Sequence, residues 1–458
     1  MIKAFLARSI YEPMYCYFHK RDNRLKYYAA YKKMQWNSLE ENKKKQTKRL
    51  YALLKYASEN IPYYKKIVEK KSITFSEETI FEDIKKLPIL TKDIIRKEFE
   101  SLYRIQPKIS WYYNTSGGST GEPTKLIQDN NYKAESSAMK RLYDSWAGYF
   151  LGETQIKLWG SEKDILLGKD QLKNRVVNWI KSIYLLNTFS MDEERMQKYI
   201  LVINKKKPKF ILAYVQSIYE LARFIDKNNY RVYSPKAIMT SAGTLYPSMR
   251  ETIERIFQCP VFNRYGSREV GDVACECEKH EGLHVGMFAH YVEILDEDLK
   301  PCSEGKIGNI YVTLLTNFTM PLIRYKIGDL AVYTKEKCSC GRGLSLIKKV
   351  VGRTNSMIRT NKGVIDSVAV SVLLYFFDDG IPFQSFSKYQ IIQENKTKII
   401  FKAVISNPDL WLREKKKIME KFKKVLGSDL KIAFQEVNHI LPLKSGKYVY
   451  IINKMKNE

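Results

Sequence analysis

Long apolar runs are missing from this chain. No stretch approaches the roughly 18 to 20 uninterrupted apolar residues that a membrane-spanning helix needs. The nearest, Val364 to Phe377, is interrupted by Asp366, Ser367 and Ser371. The first residues, Met1 to Arg24, lack both a long apolar core and a small-residue cleavage site, so a secretory signal is not expected. Cysteine is sparse: seven in 458 residues, unevenly placed and odd in number. A chain of this length needs no disulfide framework, and an odd count cannot pair fully. These absences predict a cytoplasmic protein. Internal repeats and low-complexity linkers are also lacking. At roughly 100–200 residues per domain the length suggests two to four units, and a 44% hydrophobic composition can fill cores of that kind.

Acidic residues are outnumbered, 50 against 78 Lys and Arg, which gives a formal charge of +28. Clustered cations would suit nucleic-acid phosphates. Here, however, they are scattered in short runs (Lys43–Lys45, Lys65–Lys66, Lys205–Lys207, Lys415–Lys417) that read as solvated faces, so no nucleic-acid partner is expected. A basic surface could also hold the protein against the anionic inner membrane leaflet, at about 1 kcal/mol per well-placed Lys or Arg.

Residues 1 to about 100 read as helical and basic, with Leu50, Leu53, Leu54 and Ala57 at helix spacing and Pro62 ending that run before Tyr63 and Tyr64. From about 110 to 350, short apolar stretches such as Phe210–Ala213 and Ala237–Thr240 alternate with helical patterns such as Ser217–Ile225, which argues for an α/β layer structure. After Gly352 the pattern becomes α+β. Tyr389–Ile392 and Lys398–Val404 flank Glu394–Lys396 as a hairpin. Asn407 and Pro408 then open a helix that carries Trp411, Ile418, Phe422 and Val425 up to Gly427, and Lys431–Val437 reads as a further strand. The expected division is 1–352 and 353–458.

The segment from Thr115 to Lys125 is the sharpest chemical signal. Gly117, Gly118 and Gly121 let the backbone approach a ligand closely; Thr115, Ser116, Ser119, Thr120 and the free N–H groups offer donors to phosphate oxygens, and Lys125 adds a point charge. It is no Walker A motif, because Gly-Lys-Ser/Thr does not follow Gly121.

Ser116–Lys125 resembles the phosphate loop of the acyl-adenylate-forming superfamily, to which acyl-coenzyme A synthetases and luciferases belong. Phe262–Gly271 is similar to its adenine and metal segment. The resemblance implies that Tyr265, with Gly266 and Ser267, lies by the nucleotide and that Glu269 holds Mg²⁺, a hard cation suited to a carboxylate. Pro321–Asp329 resembles the segment whose aspartate, here Asp329, accepts from both ribose hydroxyls. Val351-Gly352-Arg353 resembles the next, in which Arg353 contacts the ribose beside the hinge; many members carry Asp at the place of Ser356, so the hinge residue differs here. Ser445-Gly446-Lys447 matches the segment of the catalytic lysine, although Tyr450 stands where a basic residue is common. The segments run in the family order over most of the chain. The likeness is nearest to the phenylacetate:coenzyme A ligase branch, especially members tied to capsular polysaccharide biosynthesis. It implies a large multi-layer α/β domain followed by a small mobile α+β C-terminal domain.

A second constellation is independent of ATP. Cys277 and His280 form a C-x-x-H pair, and Cys338 and Cys340 a C-x-C pair farther along, all in polar, Gly-containing contexts where they can converge on a structural Zn²⁺. Cys275 or His284 could replace one of them.

The resemblance implies ATP-dependent activation of a carboxylic acid. Ser116–Lys125 would hold the departing pyrophosphate, Glu269 the metal, Asp329 and Arg353 the ribose, and Lys447 the meeting carboxylate and α-phosphate. Transfer would follow to coenzyme A or, alternatively, to a sugar amine or hydroxyl. No Ser-His-Asp arrangement is evident or needed. A reading of another class, a catalytically reduced binding or scaffold homologue, is opposed by the intact Glu269, Asp329 and Lys447.

Overall fold

The computed structural model describes residues 2–18, 22–116, 124–160, 172–188, 191–353, 358–361, 363–365, 383, 385–441 and 449–455. The chain packs as two units, Met1–Ile327 with Ala331–Val350, and Gly328–Leu330 with Val351–Glu458. Among the described residues no helix is long and apolar enough to cross a membrane.

The first unit opens with helices. Ile2–Phe5, Leu6–Tyr11 and Glu12–Phe18 follow without a break, the middle stretch π-helical. The helix Leu39–Asn60 starts on a capping box, in which Ser38 Oγ accepts from Glu41 N and the Glu41 carboxylate accepts from Ser38 N. Its apolar stripe of Leu50, Leu53, Leu54 and Ala57 is buried as the spacing predicts. Pro62 does close this run, but it also opens the next helix, Pro62–Lys71, where its missing N–H costs nothing at the first helical position.

The unit's sheet is half parallel and half antiparallel. Strands β4 (Ile183–Leu186), β3 (Gln155–Leu158), β5 (Phe210–Tyr214), β6 (Ala237–Ser241) and β7 (Val261–Ser267) lie side by side and parallel. The helices Val215–Lys227 and Pro247–Phe257 make crossovers in this half. Strand β5 is buried along its whole length, as a central parallel strand covered on both faces must be. At β7 the direction changes. Strand β8 (Gly271–Glu276) returns antiparallel, and β9 (Leu283–Val285) and β13 (Leu346–Arg353) continue that pattern. β12 (Tyr325–Tyr333), β11 (Ile307–Leu314) and β10 (His290–Leu295) complete the sheet. A separate hairpin, β1 (Trp111–Thr115) with β2 (Lys125–Asp129), carries the phosphate-loop segment.

In the second unit, β14 (Ile358–Thr360) pairs antiparallel with β15 (Gly363–Ile365), and β16 (Phe386–Asn395) and β17 (Lys398–Ile405) form the expected hairpin, with β18 (Lys431–Glu436) and β19 (Ile451–Asn453) alongside. Asn407 caps the helix Pro408–Leu426 by accepting from Leu410 N. Trp411, Ile418 and Phe422 bury one face of that helix against Phe401, Tyr389 and Phe386. The α/β class with a smaller C-terminal domain is therefore present.

Candidate adenylation site and a thiol–imidazole cluster

The loop begins and ends on a closed neck. Ser116 N donates to Thr124 O at 2.9 Å, and Thr124 N donates to Ser116 Oγ at 2.9 Å. Residues 117–123 lie outside the described residues, among them Gly117, Gly118, Ser119, Thr120 and Gly121. Lys125 stands exposed at the start of β2, its Nζ 5.8 Å from the centre of the Tyr113 ring.

The neck is fastened to the end of β7. Gln128 Nε2 donates to the carbonyls of Arg268 (3.0 Å) and Glu269 (3.2 Å), and Asn114 Nδ2 reaches Arg268 O at 3.2 Å. Segments about 140 residues apart are thereby held together, at the carboxyl end of a parallel strand where the sheet changes direction. Such ends are where open α/β sheets bind ligands. The turn is tight. A Cβ on Gly266 would run into Gly271 O and lie 2.8 Å from Asp272 Cα, so only glycine fits. Ser267 Oγ accepts from Glu269 N at 3.2 Å, and Tyr265 is buried within β7 opposite Ala274. His290 holds the far side of the turn, with Nε2 2.7 Å from Val270 O.

Glu269 is buried, 5% exposed. Tyr325 Oη donates to its Oε1 at 3.3 Å, and Lys92 Nζ lies 3.7 Å from the same oxygen. Lys92 is delivered by a clamp: Leu90 N donates to Arg324 O and Lys326 N to Leu90 O, while Arg324 Nη1 donates to the carbonyls of Lys85 and Leu87. Sequence reasoning missed Lys92, which sits in an unremarkable basic helix start. Asp329 lies on β12, four residues beyond Tyr325. Arg353 ends β13, and its side chain lies outside the described residues, as do Ser356 and Lys447.

The cysteines converge, but with a different histidine. Sγ of Cys277, Cys338 and Cys340 and an imidazole nitrogen of His284 all lie within 4.8 Å of one another. Cys277 Sγ is 3.6 Å from Cys338 Sγ, and Cys340 Sγ is 3.3 Å from His284 Nε2. His280 is the correction. Its Nδ1 lies 3.1 Å from Glu276 Oε2 and 3.3 Å from Arg250 Nη1, away from the thiols. The reason is strand register. Cys275 pairs with His284 across β8 and β9, and Cys277, two residues on, falls on the same face, whereas Glu276 and its partner His280 serve the other. Cys275 is fully buried in the core, and burial pushes its thiol well up, so it stays a neutral packing residue.

Backbone N–H groups of Lys279 and Arg342 donate to Cys277 Sγ (3.4 Å) and Cys340 Sγ (3.5 Å). Glu281 ties the two loops by accepting from Ser339 N (2.7 Å) and Ser339 Oγ (2.6 Å). Burial first, and the Arg342 charge second, push the His284 imidazole down to about 4, so it stays neutral, the form that ligates metals. The loop beyond Cys340 is anchored to the N-terminal helices. Gly343 N donates to Gln35 O (3.0 Å), and Asn42 Nδ2 donates to Gly343 O (2.8 Å).

A family model, the CapK C-terminal domain, matches residues 357–454. The chain is 27% identical over 421 residues to Protein CapK of Staphylococcus aureus, covering 90% of this chain and 89% of that one. It is 24% identical over 370 residues to a phenylacetate–coenzyme A ligase of Thermus thermophilus, covering 76% and 77%. In fold it is similar to a 2-hydroxyisobutyryl-CoA ligase solved in the postadenylation state with R3-HIB-AMP, with a TM-score of 0.69 at 16% identity over 89% of each chain. A half-parallel sheet followed by a small α+β unit is the fold that the chain shares with this ligase. The C-terminal residues thus resemble the CapK C-terminal domain, and the chain as a whole is similar to Protein CapK and to phenylacetate–coenzyme A ligases.

Proposed function

We propose that the protein uses ATP to activate a carboxylic acid as its acyl-AMP and passes the acyl group to coenzyme A. The observation that carries the proposal is the fastening of the phosphate-loop neck to the Arg268–Glu269 turn, which sets a phosphate cradle beside a buried carboxylate. Attack of a carboxylate on a phosphate sets anion against anion, so catalysis here is positioning and charge neutralisation. In this reading Ser116 and Lys125, with the glycines and hydroxyls between them, hold the departing pyrophosphate. Tyr265 lies by the adenine, and Asp329 and Arg353 take the ribose. Lys447 meets the carboxylate and the α-phosphate.

Glu269 fits a divalent cation, because it is a buried carboxylate already facing a cation, the Lys92 ammonium at 3.7 Å. Mg²⁺ held there would offset phosphate charge. The cluster Cys277, His284, Cys338 and Cys340 fits Zn²⁺: three thiols and a neutral imidazole converge, with backbone N–H groups turned to the sulfurs. All four positions would be taken by the protein, so this metal is structural.

The test is pyrophosphate release from ATP and Mg²⁺ over a panel of carboxylic acids, with and without coenzyme A. Thioester product supports the proposal. Release that answers only to an amino or hydroxyl sugar would replace coenzyme A as acceptor, in keeping with a cytoplasmic step of cell-surface polysaccharide synthesis. No acid-dependent release at all would leave a binding homologue.

A further inference from the structure

The N-terminal helical rod is amphipathic in the reverse sense. From Ile2 to Phe18 its solvent side presents Phe5, Ile10, Met14, Tyr17 and Phe18, with Ser9 and Pro13 between them and Arg8 as its exposed charge. Tyr17 and Phe18 are 78% and 70% exposed. The π-helical stretch Leu6–Tyr11 brings positions five apart into line, so Phe5 and Ile10 join the row that Met14 and Phe18 continue at the ordinary spacing of four. The rod's carboxylate turns the other way. Glu12, the rod's only carboxylate, is 1% exposed and ion-paired with Arg24 and Arg141. Arg8 stays exposed while reaching back to the body, its Nε donating to Leu151 O at 2.6 Å.

The rod is seated firmly. Gly152 has a φ of +86°, and a Cβ there would press on Ala7 Cβ at 2.8 Å, which is how the rod comes so close to the body. Lys3 Nζ lies 4.4 Å from the Trp179 ring centre and Lys181 Nζ 5.1 Å from that of Tyr11, so cations rim the apolar row and Trp179, itself 58% exposed, extends it.

We propose that this face docks the protein on an anionic phospholipid surface, with the aromatic row entering the headgroup boundary and the rim lysines meeting lipid phosphates. An outward row of large apolar side chains is costly in water, whereas an interfacial helix buries that side and Trp and Tyr favour the headgroup level. Charge decides between a membrane and a second copy of the chain. Two copies at +28 each repel, while an anionic leaflet attracts a protein of that charge. The inference is independent of the adenylation reading.

The experiment is flotation of the full-length protein with vesicles of phosphatidylglycerol and phosphatidylcholine, beside vesicles of phosphatidylcholine alone. Wild type should partition onto the anionic vesicles, less so at high salt. The triple variant Phe5→Ser, Met14→Ser, Phe18→Ser should lose about 10- to 100-fold in partitioning with its melting temperature unchanged. In parallel, brominated lipid should quench tryptophan emission, and Trp179→Phe should remove the quenched component, which keeps the test informative if the triple variant misfolds. Absence of wild-type partitioning, equal partitioning of the triple variant, or a wild-type dimer that the triple variant turns into monomer would each overturn the proposal.

Discussion

A carboxylate buried like Glu269 is tolerated only where a cation or donors meet it, and Lys92 and Tyr325 supply both. Glu269→Gln keeps the shape and removes the charge. Magnesium-dependent pyrophosphate release should fall about 100-fold, while circular dichroism stays that of the wild type; unchanged turnover across a magnesium titration would make Glu269 a turn residue only. His290 acts at the same scale through its proton. Burial pushes its imidazole below the usual histidine range, against the opposing pull of the Val270 and Gly286 carbonyls. Because the folded pKa is depressed, its contribution is intact above about pH 6.5, the unfolded value, and is lost as pH falls below it. Urea midpoints measured from neutral to mildly acidic pH should decline, and His290→Gln, which can still donate to Val270 O, should flatten that decline.

At the scale of elements, the cluster is made by register, and register also explains what could be read in advance. Periodicity revealed the C-terminal hairpin, the helix after Asn407 and the strands β5 and β6, because each is a local pattern of burial. The thiol–imidazole cluster was harder. A C-x-x-H spacing suggested His280, but the β8–β9 pairing turns that side chain to Glu276 and brings His284 to the thiols. Local spacing cannot report which of two faces a residue takes once the strands pair. Lys92 was illegible for a related reason, since its value lies in a clamp to Arg324 more than 200 residues away. The cluster should carry about one zinc per chain. His284→Ala should lose it and His280→Ala should keep it, by elemental analysis of protein purified without chelators. Cys338→Ser should lower the melting temperature more than it changes nucleotide affinity, because metal-binding energy is folding energy.

At the scale of the molecule, the proposed reaction draws on both units: Glu269 belongs to the first and Lys447 to the second. Lys447→Ala should therefore slow adenylation about 10²- to 10³-fold and slow transfer from chemically made acyl-AMP far less, when both rates are measured in the one mutant. Equal losses would give Lys447 a structural role, and no loss would move the search to Lys444. The tie between Asn42 and Gly343 carries a further consequence, for biosynthesis. Its partners are 301 residues apart, a length that a ribosome takes about 15 to 60 s to translate. Throughout that interval the stripe of Leu50, Leu53 and Leu54 waits without much of the antiparallel sheet that buries it in the finished core. The nascent N-terminal third should therefore stay aggregation-prone until the sheet emerges, and slow translation should lengthen its exposure rather than aid its folding.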